Sequence, residues 1–188
     1  MTGSALRKIS EEDYLRSEES SPVKREYVDG FVYPLHAQAG AASKHGIISL
    51  NIASALHRPA LRQGCRIYAS DMRVRVAVMG TRYYYPDVVL TCETMPDDAR
   101  YATQPCLIVE VLSDSTRDLD RREKLWAYQA LGSLQGYLLV DTATRAARLY
   151  TRVGESWRED YWEDAGEMEL PCVGVRLELD EVYEGTQV

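Results

Sequence analysis

The chain has 188 residues, 45% of them hydrophobic and 27% charged, with a net charge of −7. That profile fits a single globular domain over residues 1–188 with a sizeable core. It excludes a dedicated nucleic-acid coating protein, which carries a basic field, but not an enzyme that meets nucleic acid locally while gathering acids around a metal.

No apolar run approaches the length of a membrane span. The first twenty residues, MTGSALRKISEEDYLRSEES, contain no apolar signal core. The expected location is the cytoplasm. Cysteines stand at 65, 92, 106 and 172, far apart and without a CxxC pair. This spacing argues against structural zinc and for free buried thiols in a reducing compartment, Cys106 being a core residue of its strand.

In chain order, Ser10 before Glu11, Glu12 and Asp13 reads as a capped helix start, with a short helix near residues 10 to 18. The segment KREYVDGFVYPL reads as a β-hairpin around Asp29 and Gly30. Ser43 opens a helix to about Arg62, with Ile48, Ile52 and Leu56 on one face and Pro59 expected to bend or end it. Residues 66 to 69, 72 to 78 and 83 to 90 read as strands, and 91 to 105 as a polar loop. The run CLIVEVL, apolar on both faces around Glu110, reads as a central strand covered on both sides. A helix is expected from about residue 117 to 131, then a strand at GYLLVD and two more near 147 to 151 and 157 to 162. The sum is one mixed α/β domain.

Glu110 poses the chemical question, because an unpaired buried carboxylate costs several kcal/mol. Asp87, in YYYPDVVL, stands at the end of another strand. Neighbouring strands lie roughly 4.8 Å apart, so two carboxylates at matched depth can grip one divalent cation. Magnesium suits a site with few protein carboxylates, since it takes oxygen ligands and keeps several waters. In the following helix Lys124 and Tyr128 are four residues apart and share a face, which can turn toward the acids. Asp118 can hold the start of that helix near the same cleft. The three histidines match no zinc pattern.

The proline–aspartate pair followed by an acid on the next core strand resembles the PD-(D/E)xK restriction-endonuclease-like superfamily. More narrowly, the ordered set EYVDG, KHG, YPDVVL, IVEVLSDST, D-x5-K-x3-Y and GYLLVD resembles the Uma-two family, bacterial proteins assigned as restriction endonucleases. The resemblance spans about residues 10 to 182. It implies a mixed α+β fold: a central mixed sheet flanked by helices, with extra N-terminal and C-terminal strands. It implies Mg²⁺ or Mn²⁺, one or two ions, on Asp87 and Glu110, with Glu26 an additional acidic position and Lys124 the basic residue. His45, in KHG, matches a position where the family often has histidine. Asp87, Glu110 and Lys124 are the expected catalytic residues, Asp118, Tyr128 and His45 the supporting ones.

One departure stands out. The E-x-K form places lysine at 112, on the same face as Glu110, and this chain has Leu112. The implied activity is metal-dependent hydrolysis of nucleic-acid phosphodiesters, DNA before RNA, with Arg73, Arg75 and Arg82 as candidate phosphate contacts. The alternative is a catalytically inactive binding or scaffold module in which Glu110 serves a structural ion pair. Double-strand cleavage usually needs two sites, so a homodimer is the expected assembly.

Overall fold

The structure, a computed structural model, describes residues 8–35, 43–112 and 123–188. Helix α1 (Glu11–Glu18) begins where the Ser10 hydroxyl accepts a hydrogen bond from the Asp13 amide, at 3.0 Å. Strands β1 (Arg25–Val28) and β2 (Phe31–Pro34) form the expected hairpin. Asp29 and Gly30 both take positive φ, 50° and 101°, as a tight two-residue hairpin turn requires.

Helix α2 (Ser43–Arg62) buries Ile48, Ile52 and Leu56 and runs through Pro59 instead of ending there. Proline removes one backbone bond, but buried Leu56 and Ala60 hold the turns on either side against the core. Strands β3 (Arg66–Ala69), β4 (Arg73–Val76), β5 (Arg82–Tyr84) and β6 (Val88–Thr91) follow. The single strand expected over residues 83 to 90 is thus two, broken at Pro86, whose missing N–H cannot join a ladder. The break matters for the site: β5 pairs with β1 and β4, whereas β6 pairs with β3 and β8. Asp87 therefore sits where the chain crosses from one sheet to the other.

Strand β7 (Tyr101–Ala102) lies inside the expected loop, and β8 (Pro105–Leu112) is the buried CLIVEVL strand. The described part of the next helix is α3 (Leu125–Gln129), preceded by a π-type turn at Glu123 and Lys124. Strands β9 (Gly136–Asp141), β10 (Ala146–Val153) and β11 (Ser156–Glu163) complete the main sheet, in the order β11-β10-β9-β8-β6-β3. It is mixed: β8 and β9 run parallel and the remaining neighbours antiparallel. A second sheet has the order β2-β1-β5-β4-β7. Beyond the expected elements come the hairpin β12 (Glu167–Leu170) and β13 (Val175–Glu178) and a last helical turn, α4 (Leu179–Val182).

Strand alternation sorts the core into two layers. Leu107, Val109 and Val111 of β8 pack with α2 and with the C-terminal hairpin. Ile108 and Leu112 face the other way, against Val74, Val76 and Tyr84 of the second sheet and Ala127 and Tyr128 of α3. Glu110 shares this second face.

The cysteines correct the sequence reading. All four are paired, Cys65 with Cys92 and Cys106 with Cys172, so none is a free thiol. The first pair ties the end of α2 to the end of β6, and the second ties β8 to the β12–β13 turn. Among the described residues no helix is long and apolar enough to cross a membrane.

Candidate active site

Glu110 is buried, 4% exposed, and its compensating charge comes from the next helix. Lys124, equally buried, places Nζ 3.2 Å from Glu110 Oε1 and 3.1 Å from Glu26 Oε1. Tyr128, one helical turn beyond Lys124, donates its hydroxyl to the same Glu110 oxygen at 3.3 Å. Glu26 comes from β1 in the second sheet, and its Oε1 also accepts from the Tyr85 amide at 3.2 Å. Acids from two strands, β1 and β8, thus converge on one ammonium group.

An aromatic wall closes the space. The Lys124 ammonium lies 5.5 Å from the centre of the Tyr84 ring, a cation–π arrangement. The Tyr84 hydroxyl donates to Glu123 Oε1 at 3.2 Å, and burial pushes this phenol well above its ordinary range. In such surroundings charges interact strongly and their removal is costly, because stripping one partner strands the other.

Asp87 is held by other partners. Val88, the first residue of β6, pairs with Val109 of β8, so Asp87 comes just before the end of the strand pair next to which Glu110 lies. Its Oδ2 accepts the Val111 amide at 2.7 Å and lies 3.3 Å from His45 Nε2, from the first turn of α2. The acids flank one end of the β6–β8 pair, one held by a helix on each face of the sheet.

Among the described residues no three His, Cys, Asp or Glu side chains form a metal-holding group by themselves. Asp87 and Glu110 still supply hard oxygen donors. Carboxylate oxygen ligands fit a magnesium-type ion that retains several waters. All three acids already have partners: Glu26 and Glu110 share Lys124, and Asp87 holds the Val111 amide and His45.

Asp118 lies outside the described residues. Asp29 is a turn former, accepting the Thr81 amide at 2.9 Å and pairing with Arg82 at 3.0 Å. The three arginines proposed as phosphate contacts are otherwise employed: Arg75 pairs with Glu11, Arg82 with Asp29, and Arg73 is buried against the rings of Tyr14, Tyr83 and Tyr85. Sequence reasoning passed over Tyr84 as a neighbour of Lys124. Its alternation away from Tyr83 and Tyr85 was the available signal.

A mixed sheet with an acid-bearing central strand, flanked by helices, defines a restriction-endonuclease-like nuclease fold. The family model described as "Putative restriction endonuclease", Uma2, matches residues 11–180, and the chain belongs to that family. It is 34% identical over 182 residues to Uncharacterized protein slr1290 of Synechocystis sp. strain PCC 6803, covering 95% of this chain and 93% of that one. It is also 34% identical over 146 residues to Uncharacterized protein sll1609 of the same organism, covering 76% and 80%. A crystal structure from Anabaena variabilis, titled as "a putative nuclease belonging to DUF820", shares the fold with a TM-score of 0.73 at 15% identity, covering 93% of this chain and 97% of that one.

Proposed function

We propose that the protein is a metal-dependent endonuclease that hydrolyses nucleic-acid phosphodiesters, DNA in preference to RNA. The observation that carries this reading is the Lys124 ammonium, buried between Glu26 and Glu110 at 3.1 and 3.2 Å. Asp87 and Glu110 would hold Mg²⁺ or Mn²⁺. Such an ion, when bound, polarises the scissile phosphate and lowers the pKa of a coordinated water.

The chain's own groups have separable tasks. Lys124 offers its protons to the phosphoryl oxygens, where negative charge builds up in the transition state. Glu26 fixes the ammonium in place from the opposite sheet. Tyr128 locks the orientation of Glu110, while His45 and the Val111 amide hold Asp87. The basic residue that would follow Glu110 on its strand is replaced by one from the helix; position 112 is a buried leucine.

The same ion pair supports a second reading, a catalytically inactive module in which Lys124 serves to neutralise Glu26 and Glu110. Plasmid nicking with Mg²⁺ or Mn²⁺ separates the two, with an RNA substrate run in parallel. Wild type is expected to nick DNA, and Asp87→Ala, Glu110→Ala and Lys124→Ala to lose about 100-fold or more, as for removal of a single transition-state donor. Equal cleavage by wild type and variants would discard the site. No cleavage, together with no Mn²⁺ binding by calorimetry in the millimolar range, would establish the inactive module.

A further inference from the structure

Glu110 is one residue of a row that crosses the main sheet. Strand register aligns Glu110 with Leu139, Leu139 with Arg148, and Arg148 with Tyr161. Residues opposed in this way share a face, so Arg148 and Tyr161 look out on the side of the sheet that holds Glu110 and Lys124. At about 4.8 Å per strand they stand two and three strands away, roughly 10 and 14 Å from Glu110 along the sheet.

A cavity of about 240 Å³ opens at this end of the row, lined among others by Leu112, Leu139, Asp141, Ala146, Arg148 and Tyr161, the Asp141 carboxylate accepting the Ala143 amide at 2.8 Å. Leu112, Leu139 and Ala146 are buried and form an apolar floor. Tyr161 is 51% exposed, and the Arg148 guanidinium lies 5.1 Å from its ring centre. Arg148 also pairs with Glu159, which occupies only part of a five-donor fork. The neighbouring Arg152 offers a contrast: its guanidinium donates to the carbonyls of Gln129, Leu131 and Leu134 and is structural. The arginine in the row is the one with donors to spare.

From this juxtaposition we infer that the Tyr161–Arg148 shelf binds one unpaired nucleotide of the substrate strand, next to the scissile phosphate. The base stacks on Tyr161 over the apolar floor, and Arg148 meets the adjoining phosphate. The cavity is smaller than the roughly 300–1,000 Å³ of sites for drug-sized ligands, so it admits one base and not a base pair. Aromatic stacking with a flanking cation is how proteins hold single strands without reading their sequence. The inference rests on the nuclease reading and sharpens it: the substrate is a strand that is single-stranded, or opened, beside the cut.

Fluorescence anisotropy of a labelled single-stranded oligonucleotide, in EDTA and again in Ca²⁺, tests this with the full chain. Tyr161→Ala is expected to raise Kd about tenfold, within the range measured for loss of one stacked base, and Tyr161→Phe by less than about twofold. Arg148→Ala is expected to weaken binding severalfold. A blunt duplex of the same sequence is expected to bind more weakly and to be indifferent to Tyr161→Ala. Unchanged single-strand affinity in Tyr161→Ala would overturn the shelf. If wild type nicks plasmid while Tyr161→Ala binds and cuts as well as wild type, only the shelf falls. If wild type binds neither strand form in either buffer, the shelf and the nuclease reading fall together.

Discussion

Lys124 spends its charge where only 4% of its surface reaches solvent, and that expense is tolerable because two carboxylate oxygens lie within 3.2 Å. Breaking a buried pair by removing one partner typically costs 3–5 kcal/mol, whereas replacing the whole set by apolar or neutral groups is often mild. Lys124→Met is therefore expected to lower unfolding free energy by about 3–5 kcal/mol in urea titrations without divalent ions. Adding Glu110→Gln to it should recover a substantial part of the loss, because one stranded carboxylate disappears. Plasmid nicking should stay absent in both. If the single variant is as stable as wild type, the ammonium is not compensating the acids and the electrostatic account of Glu110 is wrong.

Tyr183, just past α4, binds the β9–β10 turn: its hydroxyl lies 2.6 Å from Asp141 O and 2.9 Å from Ala146 O, and accepts the Ala146 amide at 3.1 Å. Tyr183→Phe leaves these buried groups without their partner and is expected to cost about 1–3 kcal/mol, read as a shift in denaturation midpoint. Burial pushes this phenol up to about 12, so the folded state resists its ionisation. Its contribution should be intact below about pH 10, where an unfolded tyrosine begins to ionise, and be lost as pH rises toward 12. The disulfides act on the same scale, closing sequence separations of 27 and 66 residues. Chain-entropy arguments give about 3.5 and 4 kcal/mol for loops of this length. Maleimide should label no cysteine in the native, unreduced protein and all four after reduction, with a lower melting temperature; free labelling without reductant would return the cysteines to the reducing-compartment reading. Local pattern made some elements legible and left others hidden. The Asp29–Gly30 hairpin, the α2 stripe of Ile48, Ile52 and Leu56, and the two-faced apolar run of β8 were readable, because each writes its own periodicity. So was the placement of Lys124 and Tyr128 on one helix face. The division of the 83–90 stretch at Pro86, the role of Tyr84 against Lys124 and both cysteine pairings were not, because each is decided by a neighbour distant in sequence.

At the scale of the whole molecule, a net charge of −7 must be reconciled with the polyanionic substrate we propose. Many of the arginines are spent internally: Arg75 on Glu11, Arg82 on Asp29, Arg25 on Glu18, Arg145 on Asp180, and Arg152 on backbone carbonyls. These five arginines are therefore not free to follow a nucleic-acid backbone, and on the proposed reading affinity comes from a few local contacts with stacking beside them. Counter-ion release makes this measurable, since log K falls with log salt by about 0.7 per neutralised phosphate on a single strand. With Arg148 as the main phosphate contact away from the acids, the expected slope is shallow, about 1–2, and Arg148→Ala should reduce it by roughly 0.7. Tyr161→Ala should weaken binding at every salt concentration and leave the slope alone, because stacking releases no ions. A steep slope of about 5 or more would mean that an extended basic surface does the binding, and the localised contact on β10 and β11 would have to be abandoned.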